Sequence, residues 1–138
     1  MEGVAQIDHT GDIGLLVSAE NLEALFEKSA FGMFEVIADL RNVDQTEKVE
    51  VRVEAEDLET LFIRWLSELN FIHITQELIF SRFEIDALDE KCAVGRAWGE
   101  KTDFSRHTIF TEVKAVTYHD LSIKKSGGVW QARFIFDM

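Results

Sequence analysis

The sequence predicts a single α+β domain over residues 1–138, with two amphipathic helices packed on one face of a largely antiparallel sheet. Two observations carry this prediction. Apolar residues recur at helical spacing in two segments of the first half, and they alternate with polar residues in the segments around them. The chain of 138 residues is 46% hydrophobic, with eleven Phe and three Trp, which is enough to fill one core. It contains no proline and no tandem repeat, so no domain boundary is predicted.

A strand is predicted over Asp12–Ala19, because apolar residues alternate along it and define one buried face. Those residues are Ile13, Leu15, Val17 and Ala19. Asp12 lies on the opposite face, so its carboxylate points away from the expected core. A helix of about five turns follows, with Asn21 as its N-cap. Its apolar stripe consists of Leu22, Leu25, Phe26, Ser29, Met33, Val36, Ile37 and Leu40.

The next segments predict a half-exposed strand, a second helix and four further strands. Val49, Val51 and Val53 alternate with charged residues and form the strand. The stripe of the second helix consists of Leu58, Leu61, Phe62, Trp65, Leu66, Leu69 and Ile72. Near its end, His73 is expected to complement the helix dipole rather than bind a metal. The four strands are expected at residues 78–86, 91–100, 112–123 and 129–137, and Gly127-Gly128 is the turn between the last two.

The net charge of −12 argues against direct binding to RNA or DNA, because the phosphate backbone repels an acidic surface. Any nucleic acid should therefore be reached through a partner. An acidic surface suits a basic partner or a divalent cation, and it also simply keeps a small protein in solution. Both interpretations stay open at this point.

Composition also favours a cytoplasmic protein that does not enter a membrane. No apolar run reaches the roughly 18 residues of a membrane span, and the first residues do not resemble a signal peptide. The single cysteine, Cys92, excludes an internal disulfide and fits a reducing compartment. Because Cys92 lies in a predicted strand, we expect it to be a buried, inert thiol.

The candidate site begins in residues 8–14, where two carboxylates and an imidazole surround a glycine turn. In the last strand, Asp137 lies opposite the aromatic face, as Asp12 lies opposite its aliphatic one. If the two strands are neighbours, both carboxylates and the C-terminal carboxylate of Met138 form a cluster. Two like charges about 4 Å apart cost roughly 4 kcal/mol at an effective dielectric constant of 20, and a cation would relieve that repulsion. Oxygen ligands suit calcium, magnesium or manganese better than zinc.

Other polar residues have two interpretations each. Asp8 and His9 either support a metal or contact a partner, but Asp8 is equally suited to forming the turn. Lys114 either lies near the acidic cluster and contacts a partner or forms a cross-strand ion pair. His119 is expected to be buried. Residues 105–107 form a polar loop with no recognisable catalytic arrangement. The glycines do not have the spacing of a phosphate-binding loop, so the chain is not expected to bind a nucleotide by itself.

Four segments together resemble the archease family. They are Asp8-His9-Thr10-Gly11-Asp12-Ile13-Gly14, Glu56-Asp57-Leu58-Glu59-Thr60-Leu61, Glu112-Val113-Lys114-Ala115-Val116-Thr117-Tyr118-His119 and Phe136-Asp137-Met138. The resemblance runs in register from near residue 5 to the C-terminus. It is specific, because four separated motifs occur in the right order at the right spacing.

The resemblance implies an accessory protein rather than an enzyme. Archeases activate the RtcB-type RNA ligase of tRNA splicing and RNA repair: they promote guanylylation of its active-site histidine from GTP and allow multiple turnovers. By the resemblance, a divalent cation, most simply calcium, is bound by Asp12, Asp137 and a main-chain oxygen of Met138. Gly11 replaces the usual alanine of the His-Thr-Ala-Asp motif, which loosens the turn. Met138 replaces the usual isoleucine, which leaves the main-chain ligand unaffected.

Two other classes of function use the same features. A chaperone or general protein-interaction module would share the acidic surface and would tolerate the loss of Asp12. A small metal-dependent hydrolase would use the carboxylates around a metal-bound water. It would also need a general base and a substrate cleft, and the sequence identifies neither.

Overall fold

The computed structural model describes residues 2–9 and 12–138, without the side chains of residues 8 and 9. Within these residues the chain forms one α+β domain, which confirms the predicted fold class. Its strands are β1 Val4–His9, β2 Asp12–Ala19, β3 Glu47–Glu54, β4 Leu78–Leu88, β5 Cys92–Lys101, β6 Ala115–Ser126 and β7 Val129–Asp137. Its helices are α1 Leu22–Ile37 and α2 Leu58–Gln76, with a short 3-10 helix at Leu40–Asn42.

The strands form two antiparallel sheets. In the part of the chain that is described, one sheet has the order β1-β2-β7-β6 and the other has the order β3-β5-β4. Helix α1 contacts β2 and β4, and helix α2 contacts β3 and β6, so each helix packs against both sheets. Alternation along a strand determines which of its side chains are buried, but it does not determine which strands pair with each other. The sequence pattern therefore does not specify that the strands form two separate sheets.

The core confirms the predicted faces of β2 and β7. Leu15 and Val17 of β2, and Phe134 and Phe136 of β7, are at most 2% exposed. Strands β2 and β7 contact helix α1. Helix α2 reaches the same layer through Phe62, whose ring lies edge-on to that of Phe134 with centroids 5.0 Å apart. Truncating a buried Phe in such a core typically costs about 3–5 kcal/mol. The helices are therefore fixed against the two central strands of the four-stranded sheet.

Helix α1 starts as predicted and ends earlier. Asn21 caps it by accepting a hydrogen bond from the Ala24 amide at 2.8 Å. The helix ends at Ile37 rather than Leu40, because Ala38 is extended and forms an isolated bridge with Ile109. A distant segment of the chain thus pairs with the residue that would have continued the helix.

Helix α2 runs four residues beyond its predicted stripe. It ends where Glu77 adopts the left-handed conformation, with φ of 54°. His73 lies in its last turn, as expected from the helix dipole, and its Nδ1–H also donates to the carbonyl oxygen of Leu78 at 2.6 Å. This bond connects the end of the helix to the start of β4.

Two predictions about individual side chains are wrong. His119 is exposed and contacts Asp120, because the β6–β7 register shifts between Thr117 and Ser122 and Asp120 adopts a φ of 53°. The bulge takes His119 out of the alternation that predicted its burial. Cys92 lies in a strand as predicted, but it is only half-buried because it is the first residue of β5.

A partly buried ion-pair network fixes the segment between β5 and β6. Glu100 is 8% exposed. Its carboxylate accepts hydrogen bonds from the guanidinium of Arg106, from the amide of Asp44 and from Nε2 of His107. Nδ1 of His107 accepts from the amide of Asp103 at 2.9 Å, so the proton of the imidazole lies on Nε2. The guanidinium of Arg106, followed by the Asp44 amide, lowers the pKa of Glu100 from 4.5 to about 2.

We expect the variant Glu100→Gln to be less stable than the wild type near neutral pH. Because folding lowers the pKa of Glu100, its charge stabilises the fold above the unfolded pKa, and this stabilisation disappears as pH falls from about 5 towards 2. The difference in free energy of unfolding, measured by urea titration of both proteins at several pH values, should therefore shrink on acidification. A difference that stays constant or grows at low pH would contradict this account.

Candidate functional site

The register of β2 and β7 brings the two candidate aspartates together. The strands are antiparallel and pair Ile13 with Phe136, so one further step places Asp12, the first residue of β2, opposite Asp137, the last of β7. Directly opposite residues of antiparallel strands have Cβ atoms about 4.5–5.5 Å apart on the same face. We call Asp12, Asp137 and the main chain of Met138 the acidic rim.

Both carboxylates of the acidic rim lie on the face away from the core. The residues next to them in sequence, Ile13 and Phe136, pack into the core, so alternation directs Asp12 and Asp137 to the other face. Asp12 is half-buried, whereas Asp137 is exposed. This is the arrangement that the sequence predicted on the condition that the two strands are neighbours.

Met138 fixes the C-terminal end of the rim. Its side chain is partly buried and packs against the core. The anchored side chain limits the motion of the main-chain oxygens that follow Asp137. Any apolar side chain of similar size would do the same, which explains why methionine is acceptable at this position.

Lys114 lies beside the rim, immediately before β6. Its amide donates to the carbonyl oxygen of Asp137 at 2.9 Å. The preceding residue, Val113, is fully buried, and its carbonyl oxygen accepts a hydrogen bond from Nδ2 of Asn70 at 2.8 Å. The backbone of Lys114 is thus held on both sides, by helix α2 and by β7, and its side chain is exposed.

The backbone of β1 completes this end of the sheet. His9 is paired with Asp12, and Asp8 with Ile13. The roles expected for the side chains of Asp8 and His9, and for the turn at Gly11, lie outside the described residues. They remain predictions.

The donor set of the rim is made of oxygen atoms. It comprises the carboxylates of Asp12 and Asp137 and the main chain of Met138, which fits a hard cation such as calcium better than zinc. Among the residues whose side chains are described, no three His, Cys, Asp or Glu form a cluster that could bind a metal. A cation at the rim would therefore rely on main-chain oxygens or water in addition to the two aspartates.

Comparison with known proteins identifies the family. The profile of the Archease protein family (MTH1598/TM1083) matches residues 5–138. The archease of Pyrococcus abyssi is 41% identical over 137 residues, which cover 95% of both chains. The chain belongs to the archease family.

Two solved structures have the same fold as this archease-family chain. The solution structure of Methanobacterium thermoautotrophicum protein 1598 matches with a TM-score of 0.85 and 38% identity, and the match covers 100% of both chains. The crystal structure of an archease from Thermotoga maritima, described as a possible chaperone, matches with a TM-score of 0.63 and 24% identity, covering 96% of this chain and 94% of that one. The similarity to the Thermotoga maritima structure concerns the fold alone.

Sequence reasoning missed the residues that support Lys114. Asn70 interrupts an apolar helix stripe and is 5% exposed, and that interruption was the available signal. Glu100 and His107 gave no such signal, because their partners lie in a loop whose path the sequence does not indicate.

In the described part of the chain, no helix is long and apolar enough to span a membrane.

Proposed function

We propose that this archease-family chain is an accessory protein that activates an RtcB-type RNA ligase by promoting guanylylation of the ligase from GTP. In this proposal the chain is not itself a catalyst, acts in the cytoplasm and reaches RNA only through the ligase. The family supports the proposal, and one structural observation carries it further. By the register of β2 and β7, two aspartates that are distant in sequence lie opposite each other on the face of the sheet away from the core, and the backbone amide of Lys114 is bonded to one of them.

The acidic rim is suited to contact a charged active site. Asp12 and Asp137 provide negative charge at the ends of β2 and β7, and the backbone amide of Lys114 is hydrogen-bonded to the main chain of Asp137. Charged groups on strands are held more precisely than groups on loops. We propose that this pattern is presented to the ligase near its nucleotide pocket.

We further propose that Asp12, Asp137 and a main-chain oxygen of Met138 hold a divalent cation, calcium in the first instance and manganese or magnesium otherwise. When bound, the cation offsets the repulsion between two carboxylates that share one end of the sheet. The chain's own contribution is to orient these oxygens: β2 and β7 fix the aspartates, and the packed side chain of Met138 fixes the C-terminus.

The ligase assay tests the proposed function directly. We expect the wild-type chain to increase covalent GMP on a cognate ligase incubated with GTP and manganese, and we expect Asp12→Asn to lose most of this stimulation. Asn keeps the shape of the side chain and removes its charge. Glu20→Gln is the matched control, because Glu20 is an exposed carboxylate that follows the other end of β2. No stimulation by the wild type, or full stimulation by Asp12→Asn, would count against the proposal.

Calcium binding is expected to stabilise the fold. At a free calcium concentration about 100 times the dissociation constant, binding to the folded state alone adds about 2.7 kcal/mol to the free energy of unfolding. Calorimetric melting with calcium and with a chelator should show this gain for the wild type and for Glu20→Gln, and a much smaller gain for Asp137→Asn. An equal gain in Asp137→Asn would exclude that residue as a ligand.

A chaperone-like interaction module is the second candidate. The observation that favours it is a set of large exposed apolar side chains, which includes Phe71, Phe104 and Phe110. A chaperone should suppress aggregation of unrelated proteins and should keep that activity in Asp12→Asn. Loss of ligase stimulation without loss of such suppression would separate the two functions.

A further inference from the structure

Two hydrogen bonds in series connect helix α2 to the last peptide bond of the chain. Nδ2 of Asn70 donates to the carbonyl oxygen of Val113 at 2.8 Å. The amide of the next residue, Lys114, donates to the carbonyl oxygen of Asp137 at 2.9 Å. That oxygen belongs to the peptide bond between Asp137 and Met138. We call these two bonds the Asn70 relay.

The carbonyl group of Val113 depends on this bond to Asn70. Val113 precedes β6, which begins at Ala115, so its carbonyl is not part of the ladder between β6 and β7. Val113 is fully buried, and its bond to Asn70 is buried as well. Without the bond a buried acceptor would be left unpaired, which is unfavourable. Asn70 therefore fixes the path by which the chain enters Lys114.

An asparagine is an expensive choice for the packing of α2 itself. The neighbouring Leu66 and Leu69 are fully buried, and Asn70 is 5% exposed. Asparagine forms helices less well than leucine does. Oδ1 of Asn70 is buried and, among the described residues, has no hydrogen-bond partner. A leucine would avoid both disadvantages, so the asparagine is explained by what its Nδ2 holds rather than by the packing of the helix.

The relay and the side chain of Met138 together order the end of the chain. Chain ends are usually mobile unless they are tied down. The relay fixes the carbonyl oxygen of the last peptide bond, and the planarity of that bond extends the constraint to the nitrogen and Cα of Met138. The side chain of Met138 packs against the core, which fixes its Cβ. The terminal oxygens are then left with rotation about one bond, Cα–C of Met138.

We propose that Asn70 is a positioning residue for the acidic rim: through Val113 and Lys114 it orients the last peptide bond, so that the terminal oxygens of Met138 and the carboxylate of Asp137 are directed at one cation. This inference rests on the proposed function, and it gives a buried side chain that touches no cation a part in cation binding. Asn70 acts by pre-organisation. Because the chain end is ordered before the cation arrives, binding does not have to order it.

Hydrogen exchange and isothermal titration with calcium, manganese and magnesium in turn test the inference on two variants. Asn70→Leu keeps the approximate volume of the side chain and removes its donor, whereas Asn70→Ala removes both. In each variant we expect the Lys114 amide to exchange at least about fivefold faster than in the wild type, the factor that corresponds to one lost hydrogen bond. The dissociation constant of the cation should rise by a similar factor.

Ser29→Ala is the matched control. Ser29 is a fully buried polar residue of α1, and within the described part of the chain its Oγ has no hydrogen-bond partner. Its removal therefore takes a buried polar group out of a helix without releasing another segment. We expect Ser29→Ala to keep the wild-type cation affinity and the wild-type exchange rate at Lys114.

Cation affinity separates positioning from stability. If the role of Asn70 were merely structural, its variants would change in melting temperature and keep the wild-type dissociation constant. That result, or a Lys114 amide that exchanges at the wild-type rate, would overturn the inference alone, provided that the wild type binds a cation. A wild type that binds none of the three cations would refute the proposed cation site, and this inference with it.

Discussion

The pairing of β2 with β7 is the constraint on which the rest of the structure depends. It joins the beginning of the chain to its end in the middle of the four-stranded sheet. A shift of one residue would turn Phe134 and Phe136 away from the core and would turn Asp137 towards it. The aromatic contacts that stabilise the core therefore also determine where the acidic rim lies.

Two sets of hydrogen bonds hold the segment that leads into β6, the strand that pairs with β7. The Glu100 network holds the segment that leads from β5 to Lys114, and Asn70 holds the last part of that segment against α2. The bonds of His107 to Glu100 and of Asn70 to Val113 are buried, so each would be costly to leave unpaired. Their consequence is that the backbone of Lys114 is held in place next to Asp137.

Much of this could be predicted from the sequence. The bounds of β2 and β7, the burial of Leu15 and Phe134, and the outward direction of Asp12 follow from alternation, because a strand with one apolar face has only one way to bury it. Alternation does not predict strand β1, since its polar and apolar residues do not separate into two faces. The early end of α1 and the bulge at Asp120 depend on distant parts of the chain, which no local pattern reveals.

The candidate site, like the fold, could be predicted from the sequence only in part. The outward faces of Asp12 and Asp137 could be predicted, but their position opposite each other depends on strand order, which alternation left as a condition and the family resemblance implied. Phe71 and Ile74 are exposed on α2, and no prediction covers them, because helical periodicity defines only the buried stripe of the helix.

The central claim is that Asp12 and Asp137 act together as one cation-binding rim. Paramagnetic broadening by manganese, added below stoichiometry to the isotopically labelled chain, tests it most directly. The account predicts that the amide signals of residues 12–14 and 136–138 broaden first and that Asp137→Asn removes this selectivity. Broadening spread evenly over the acidic surface, or centred on another group of carboxylates, would contradict it.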